Sequence, residues 1–356
     1  MKRLLFIIYS LENPRGTERV TTTLANELCR HSRYEITIAT LYGCESYFPL
    51  DEQVKVCHLE KQYGHKSKVR KASYLIEMIN KGHWDYVIGE AMNLMTFFCA
   101  YLTYRVKVPV KFIIHEHTSF NNAGRIMRLL KIPLYKRFDT VCVLTNHDLH
   151  LLNKKGVSNA VRISNFSPIF PPSFPPLLTR NKWIIAIGSL TYDKGFERLL
   201  EIWALLYMRY PSWKLLIVGD GEEKDNLQSQ IKDYGMSINN CEIIPPSKNI
   251  SDLYARSQIL ASTSRLEGLP MVMIEALCFG CALISYDCET GPREIINHGI
   301  SGYIIPNGQK QEYVSRLNDL LAQEQLRCQF SENAAVERIR YEPAVIVQEW
   351  IDIIEN

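Results

Sequence analysis

The chain has 356 residues, too many for one ordinary domain and enough for two. Its 46% hydrophobic and 22% charged content is that of a folded globular protein, and no apolar run is long enough to cross a bilayer, which excludes a membrane-spanning class. The net charge of +3 hides a split: residues 1–165 hold 24 Lys+Arg against 14 Asp+Glu (+10), and residues 166–356 hold the remaining 17 against 24 (−7), so the first half points toward an anionic partner.

Met1-Lys-Arg-Leu-Leu-Phe-Ile-Ile-Tyr imitates a signal-peptide start. Glu12, Asn13, Pro14 and Arg15 follow where a small-residue cleavage site would be needed, so the segment reads as a buried first strand. Apolar β-rich runs then alternate with helical periods. The predicted strands are 4–9, 35–40, 54–59, 86–89, 110–115, 140–144 and 160–164, with helices over 18–30, 71–80 and 147–154 and a buried helix over 92–104. The alternation stops at Asn165-Phe-Ser-Pro-Ile-Phe-Pro-Pro-Ser-Phe-Pro-Pro, which reads as a linker. It restarts with strands at 183–187, 214–218, 242–244, 259–261, 282–285 and 303–305, and closes on an apolar helical stripe, Ile346, Val347, Trp350 and Ile354. The expectation is an α/β protein with two Rossmann-like parallel-sheet domains, 1–165 and 181–340, a linker over 166–180, and a C-terminal helix over 341–356 packing back toward the first domain. Such a pair places a ligand cleft at the carboxyl ends of the strands.

Several strand ends carry chemistry. Asn13-Pro-Arg-Gly16-Thr opens a helix where a backbone can approach phosphate closely. His115 and His117 end a strand and share one face, with Glu116 on the other. They fit hydrogen bonding to a sugar or to a reacting group, or else a purely structural role; a zinc site would need further ligands that the spacing does not supply. Gly188-Ser189-Leu-Thr-Tyr-Asp-Lys194-Gly195 ends the first strand of the second domain, and a lysine beside a helix start is a point charge suited to a diphosphate, or simply a solvated loop residue. In Glu267-Gly268-Leu269-Pro270-Met271-Val272-Met-Ile-Glu275, Pro270 suits a helix start and Gly280 its end. The two glutamates then flank a helix N-terminus that favours anions, unless they are solvated surface groups. Asp287 and Glu289 lack a third ligand and read as loop residues. Cys278-Phe-Gly-Cys281 lacks a second pair, and the ten scattered cysteines fit reduced thiols in a cytoplasm.

Gly16-Thr-Glu-Arg-Val, Glu116-His117, Asn165, Gly188 to Gly195, Gly219-Asp-Gly, Glu267 to Ala276 and Gly291-Pro-Arg-Glu-Ile-Ile, in that order, resemble family 4 of the retaining glycosyltransferases, of GT-B architecture. The resemblance spans nearly the whole chain. It implies that Glu275 holds the donor ribose, Glu267 holds hydroxyls of the transferred sugar, and Lys194 neutralises the leaving diphosphate. It also implies that the turn at Gly188 and Ser189 and the N–H groups around Gly268, Leu269, Met271 and Val272 line the donor site, beside Pro270. Gly16 lets the first domain close over the pyrophosphate, and His117, or His115, stands near the reacting sugar. Many members carry Arg where this chain has Ser189, and Gly where it has Arg15. The implied donor is a nucleotide-diphosphate sugar, UDP-linked, with neither cofactor nor metal. The transfer passes through an oxocarbenium-like transition state in which stabilising the departing diphosphate lowers the barrier. Arg125, Arg128 and Lys131, beside Ile126, Leu129, Leu130 and Leu134, and a second cluster of Lys66, Lys68, Arg70 and Lys71, suit an anionic membrane surface. The expected partners are therefore that membrane's inner face and a lipid-linked glycan or lipopolysaccharide acceptor of surface-polysaccharide assembly, with no nucleic acid. The competing expectations are a nucleotide-sugar epimerase or a phosphorylase of the same architecture, and a non-catalytic partner subunit.

Overall fold

The computed structural model describes residues 1–64, 68–247 and 249–355. The chain divides into two compact units, Met1–Pro168 together with Pro343–Asn356, and Ile169–Glu342. Among the described residues, the first unit holds seven strands: β1 (Lys2–Ile8), β2 (Tyr34–Thr40), β3 (Lys55–His58), β4 (Tyr86–Ala91), β5 (Lys111–Glu116), β6 (Thr140–Val143) and β7 (Ala160–Arg162). They form one sheet in the order β3-β2-β1-β4-β5-β6-β7, and every pair is parallel. Both faces are covered, so the strands are apolar without strict alternation: Leu4, Leu5, Phe6, Ile7 and Ile8 of β1 are all buried. One face packs under the helix Gly16–Cys29 and the C-terminal helix Pro343–Glu355, whose Ile346, Val347, Trp350 and Ile354 enter the core of the first unit.

The second unit holds β8 (Trp183–Ile187), β9 (Lys214–Val218), β10 (Cys241–Ile244), β11 (Ile259–Ser262), β12 (Ala282–Asp287) and β13 (Gly302–Pro306), again all parallel, in the order β10-β9-β8-β11-β12-β13. In each sheet the order reverses once, between β1 and β4 and between β8 and β11. Crossovers leave toward opposite faces there, which opens a crevice at the carboxyl ends of those strands.

The proline-rich segment from Ile169 to Arg180 belongs to the second unit and is tied to it. Arg180 is buried, donating to Pro175 O and Ser257 O, while Arg338 donates to Pro171 O and Pro172 O. A proline offers only its carbonyl for hydrogen bonding, and two arginines fill that need here.

Candidate functional site

In the second unit, the turns that follow β8 and β11 meet at the switch point. Gly195 has φ +63°, and a Cβ on it would lie 2.4 Å from Thr263 O, so only glycine lets the two turns come together. Thr263 Oγ1 closes the contact by donating to Gly195 O at 2.8 Å. Gly219 does similar work beneath Gly188, whose carbonyl oxygen would lie 2.0 Å from a Cβ at 219. The consequence is chemical: Lys194 Nζ stands 2.7 Å from Glu267 Oε1, which also accepts from Ser264 Oγ at 2.7 Å. The Lys194 side chain is 28% exposed and that of Glu267 9%, so the ammonium faces both the carboxylate and solvent. Thr290 Oγ1 donates to Glu267 O and pins its backbone. A narrow pocket runs between Ile187, Lys194, Ser262, Ser264, Glu267 and Val272.

The helix Met271–Cys278 follows directly. Pro270 is its N-cap, one position earlier than the sequence suggests, and helix ends commonly differ by that much. Gly280, at φ +68°, ends it: Cys281 N donates to Ala276 O and Gly280 N to Leu277 O, the paired bonds of a Schellman cap. Glu275 is buried on this helix, and its Oε2 accepts from Tyr254 O–H at 2.9 Å. Leu269 and Pro270 are buried, Gly268, Met271 and Val272 half-buried, and Ser189 exposed. Asp287 pairs with Arg293 in its loop.

In the first unit, Arg15 and Gly16 are exposed at the start of the helix that follows β1. Behind them Glu18 is buried, and burial raises its carboxyl pKa against the pull of its own backbone hydrogen bond and of Arg15. At the end of β5, His115 and His117 do share a face, with ring centroids 4.2 Å apart. Both turn toward a group that the sequence pattern does not single out. Glu90, paired in register with His115, accepts at Oε2 from His115 Nδ1 at 3.0 Å and from His117 Nε2 at 2.5 Å. A carboxylate at the carboxyl end of an otherwise apolar strand was the available signal. Glu90 is also the further ligand that the two histidines lacked, since one ligand atom from each of the three lies within 4.8 Å of the others. The fit to a metal is nevertheless poor. Ligating imidazoles normally donate their second nitrogen to an outer partner, and His115 Nε2 is buried without one.

Glu116 points to the other face and corrects the reading of Lys131 as a surface cation. Lys131 is 1% exposed, and its Nζ lies 3.0 Å from both carboxylate oxygens of Glu116. Tyr135 O–H and Thr96 Oγ1 donate to the same carboxylate. Lys131 and Tyr135 are four residues apart on the helix Arg125–Tyr135, so they share its inner face. The outer face is the apolar one: Ile126 and Leu129 are about three-quarters exposed and Leu130 about half, beside Arg125 and Arg128. Leu94, Tyr101 and Tyr104 of the neighbouring helix Leu94–Arg105 are exposed as well, although the sequence suggested a buried helix there. In the second basic cluster Lys68 and Arg70 are exposed, whereas Lys71 is buried over the Tyr42 ring; Lys66 lies outside the described residues.

Comparison with known proteins gives one family. The sequence model described as "Glycosyl transferases group 1" matches residues 174–337. The amylovoran biosynthesis glycosyltransferase AmsD of Erwinia amylovora is 35% identical, over 99% of this chain and 100% of its own length. A Campylobacter jejuni α-1,4-N-acetyl-D-galactosaminyltransferase, named for an undecaprenol-diphosphate-linked glycan, is 27% identical over 99% of this chain and 98% of its own. Among solved structures, Anabaena HepE in complex with UDP and glucose superposes with a TM-score of 0.83 at 18% identity, covering 100% of both chains, which establishes the GT-B fold.

Proposed function

The chain belongs to the group 1 glycosyl transferases, and we propose that it moves a sugar, with retention and without a divalent metal, from a UDP-linked donor to a lipid-linked oligosaccharide or lipopolysaccharide acceptor in surface-polysaccharide synthesis. Nothing among the relatives favours an epimerase. The observation that carries the reading is the contact of Lys194, Glu267 and Ser264 at the β8/β11 switch point, next to the helix that bears Glu275. A departing diphosphate needs a positive charge where its own charge grows, and a partly exposed ammonium held in place by a carboxylate supplies one without reorganisation. Glu267 and Glu275 can accept hydrogen bonds from sugar and ribose hydroxyls, and the N–H groups at the start of the helix Met271–Cys278 can serve phosphate oxygens. His117 is assigned to a hydroxyl of a bound sugar. The resemblance to a metal-independent family supports transfer without a divalent metal. A panel of nucleotide sugars screened for thermal stabilisation in a chelator, followed by transfer assays on polyprenyl-diphosphate glycans, tests it. UDP-sugars should stabilise the protein and transfer should persist; activity lost in the chelator and restored by manganese would refute metal independence.

The acceptor reading places the first unit on the inner face of an anionic membrane. Its support is the outward apolar face of the helix Arg125–Tyr135, flanked by cations, since an isolated soluble surface rarely exposes such a patch. Each surface arginine should add about 1 kcal/mol of attraction to anionic lipid, weakening with salt. Co-sedimentation with phosphatidylglycerol vesicles should therefore drop when Arg125 and Arg128 are both changed to Glu, with Lys131 left in place. Equal binding by this variant, or no binding by the wild type at low salt, would leave a soluble acceptor as the better reading.

A further inference from the structure

We infer that Glu90 is a positioning residue: by accepting hydrogen bonds from both His115 and His117 on one carboxylate oxygen, it fixes His117 as the Nε2–H tautomer and leaves Nδ1 to accept a hydrogen bond from a sugar hydroxyl. The inference rests on the assignment of His117 given above.

The geometry requires this tautomer. The side chains of Glu90, His115 and His117 are 0%, 1% and 4% exposed, so water does not compete for the contacts. Burial pushes the Glu90 carboxyl up, but the neighbouring His115 and the hydrogen bonds from both rings overcome it and hold the group at about 2. An ionised carboxylate only accepts, so each nitrogen facing it, His115 Nδ1 and His117 Nε2, must carry a hydrogen. Burial and the neighbouring His115 lower the His117 pKa below 6.5, with Glu90 and Glu116 opposing. His117 is then neutral at pH 7, and a neutral imidazole protonated at Nε2 has its lone pair at Nδ1. The titratable groups that act on His117 are Glu90 from β4, the adjacent His115 of β5 and Glu18 from the helix Gly16–Cys29, with Glu116 of β5 acting from the opposite face. Trp350 packs edge-on against His115, ring centroids 5.0 Å apart, and backs the inner ring.

The test uses the full chain, labelled with ¹⁵N-histidine, as wild type, Glu90→Gln and Glu90→Asp. Long-range ¹H–¹⁵N spectra at neutral pH should show His117 as the Nε2–H tautomer in the wild type and in Glu90→Asp, and a mixture of tautomers in Glu90→Gln. In transfer assays Glu90→Gln should lower kcat by about tenfold, the upper end of what one hydrogen bond contributes. Its donor KM should stay within about threefold of wild type, and Glu90→Asp should recover much of the rate. The acid limb of kcat/KM should lie below pH 6.5 in the wild type, where His117 gains its proton, and should move lower still in Glu90→Gln, because a carboxylate that raises the His117 pKa has gone. Three results would overturn the inference: a wild-type Nδ1–H tautomer, unchanged tautomer and kcat in Glu90→Gln, or stoichiometric zinc in the purified protein. Should Glu90→Gln fail to fold, the wild-type spectrum and Glu90→Asp still decide. Full activity in His117→Ala would refute the role of His117 while leaving the tautomer result standing.

Discussion

Changing Lys194 to alanine should lower kcat by about 10²–10³-fold, equivalent to about 2.7–4 kcal/mol, while changing donor KM far less. The expectation follows from where charge develops. In the ground state the diphosphate of a bound donor is esterified to the nucleoside at one end and the sugar at the other, so its glycosidic oxygen carries no charge, and helix N–H groups can meet the charge on the remaining oxygens. As the glycosidic bond breaks, one more negative charge collects on the leaving oxygen, and an interaction made mainly then appears in the rate constant rather than in binding. Lys194 is suited to this because it does not have to be recruited. The tight turn at Gly195 and the Lys194–Glu267 bond of 2.7 Å already hold it at the carboxyl ends of β8 and β11. Its removal leaves Glu267 bonded to Ser264, so the loop should keep its shape. Arginine should rescue poorly, since a planar fork does not replace a compact ammonium. Near-normal turnover in Lys194→Ala would reduce the lysine to a structural partner of Glu267.

The second large effect concerns stability. Lys131→Ala should destabilise the first unit by about 3–5 kcal/mol, because it strands a buried carboxylate without its counter-ion. Glu116 would keep Tyr135 and Thr96 as donors, yet two neutral hydrogen bonds do not match an ammonium in contact with both oxygens. Changing Glu116 to Gln and Lys131 to Met together should recover part of the loss, since replacing both partners of a buried pair is far cheaper than removing one. Urea unfolding of the wild type and these two variants checks this. A loss of less than about 1 kcal/mol in Lys131→Ala would mean that the pair behaves as an exposed one does. Urea unfolding and vesicle binding together separate the cations that the sequence groups on this helix: changing Arg125 and Arg128 should affect lipid binding and leave stability alone.

The sequence by itself determined what is local. Strand positions along the chain follow from runs of apolar and β-branched residues, which is why β8 and β9 fall where periodicity puts them. The end of the helix Met271–Cys278 follows from Gly280, because few other residues adopt its left-handed backbone. The order of the seven segments from Gly16 to Gly291, taken together, also indicated the family. Tertiary structure alone decided which polar groups meet. Glu90 and His117 are 27 residues apart and become partners only because β4 lies next to β5. Lys131 looks like its neighbours Arg125 and Arg128 in the sequence, yet it faces Glu116 because the helix turns that side toward the sheet. The prolines between Ile169 and Arg180 look like a free linker until Arg180 and Arg338 are seen to bind their carbonyls. The physical reason is common to all three. A one-dimensional pattern records how often a residue returns to a face, but the stability of a buried charge or carbonyl depends on the partner brought against that face, and strand order and helix docking choose that partner.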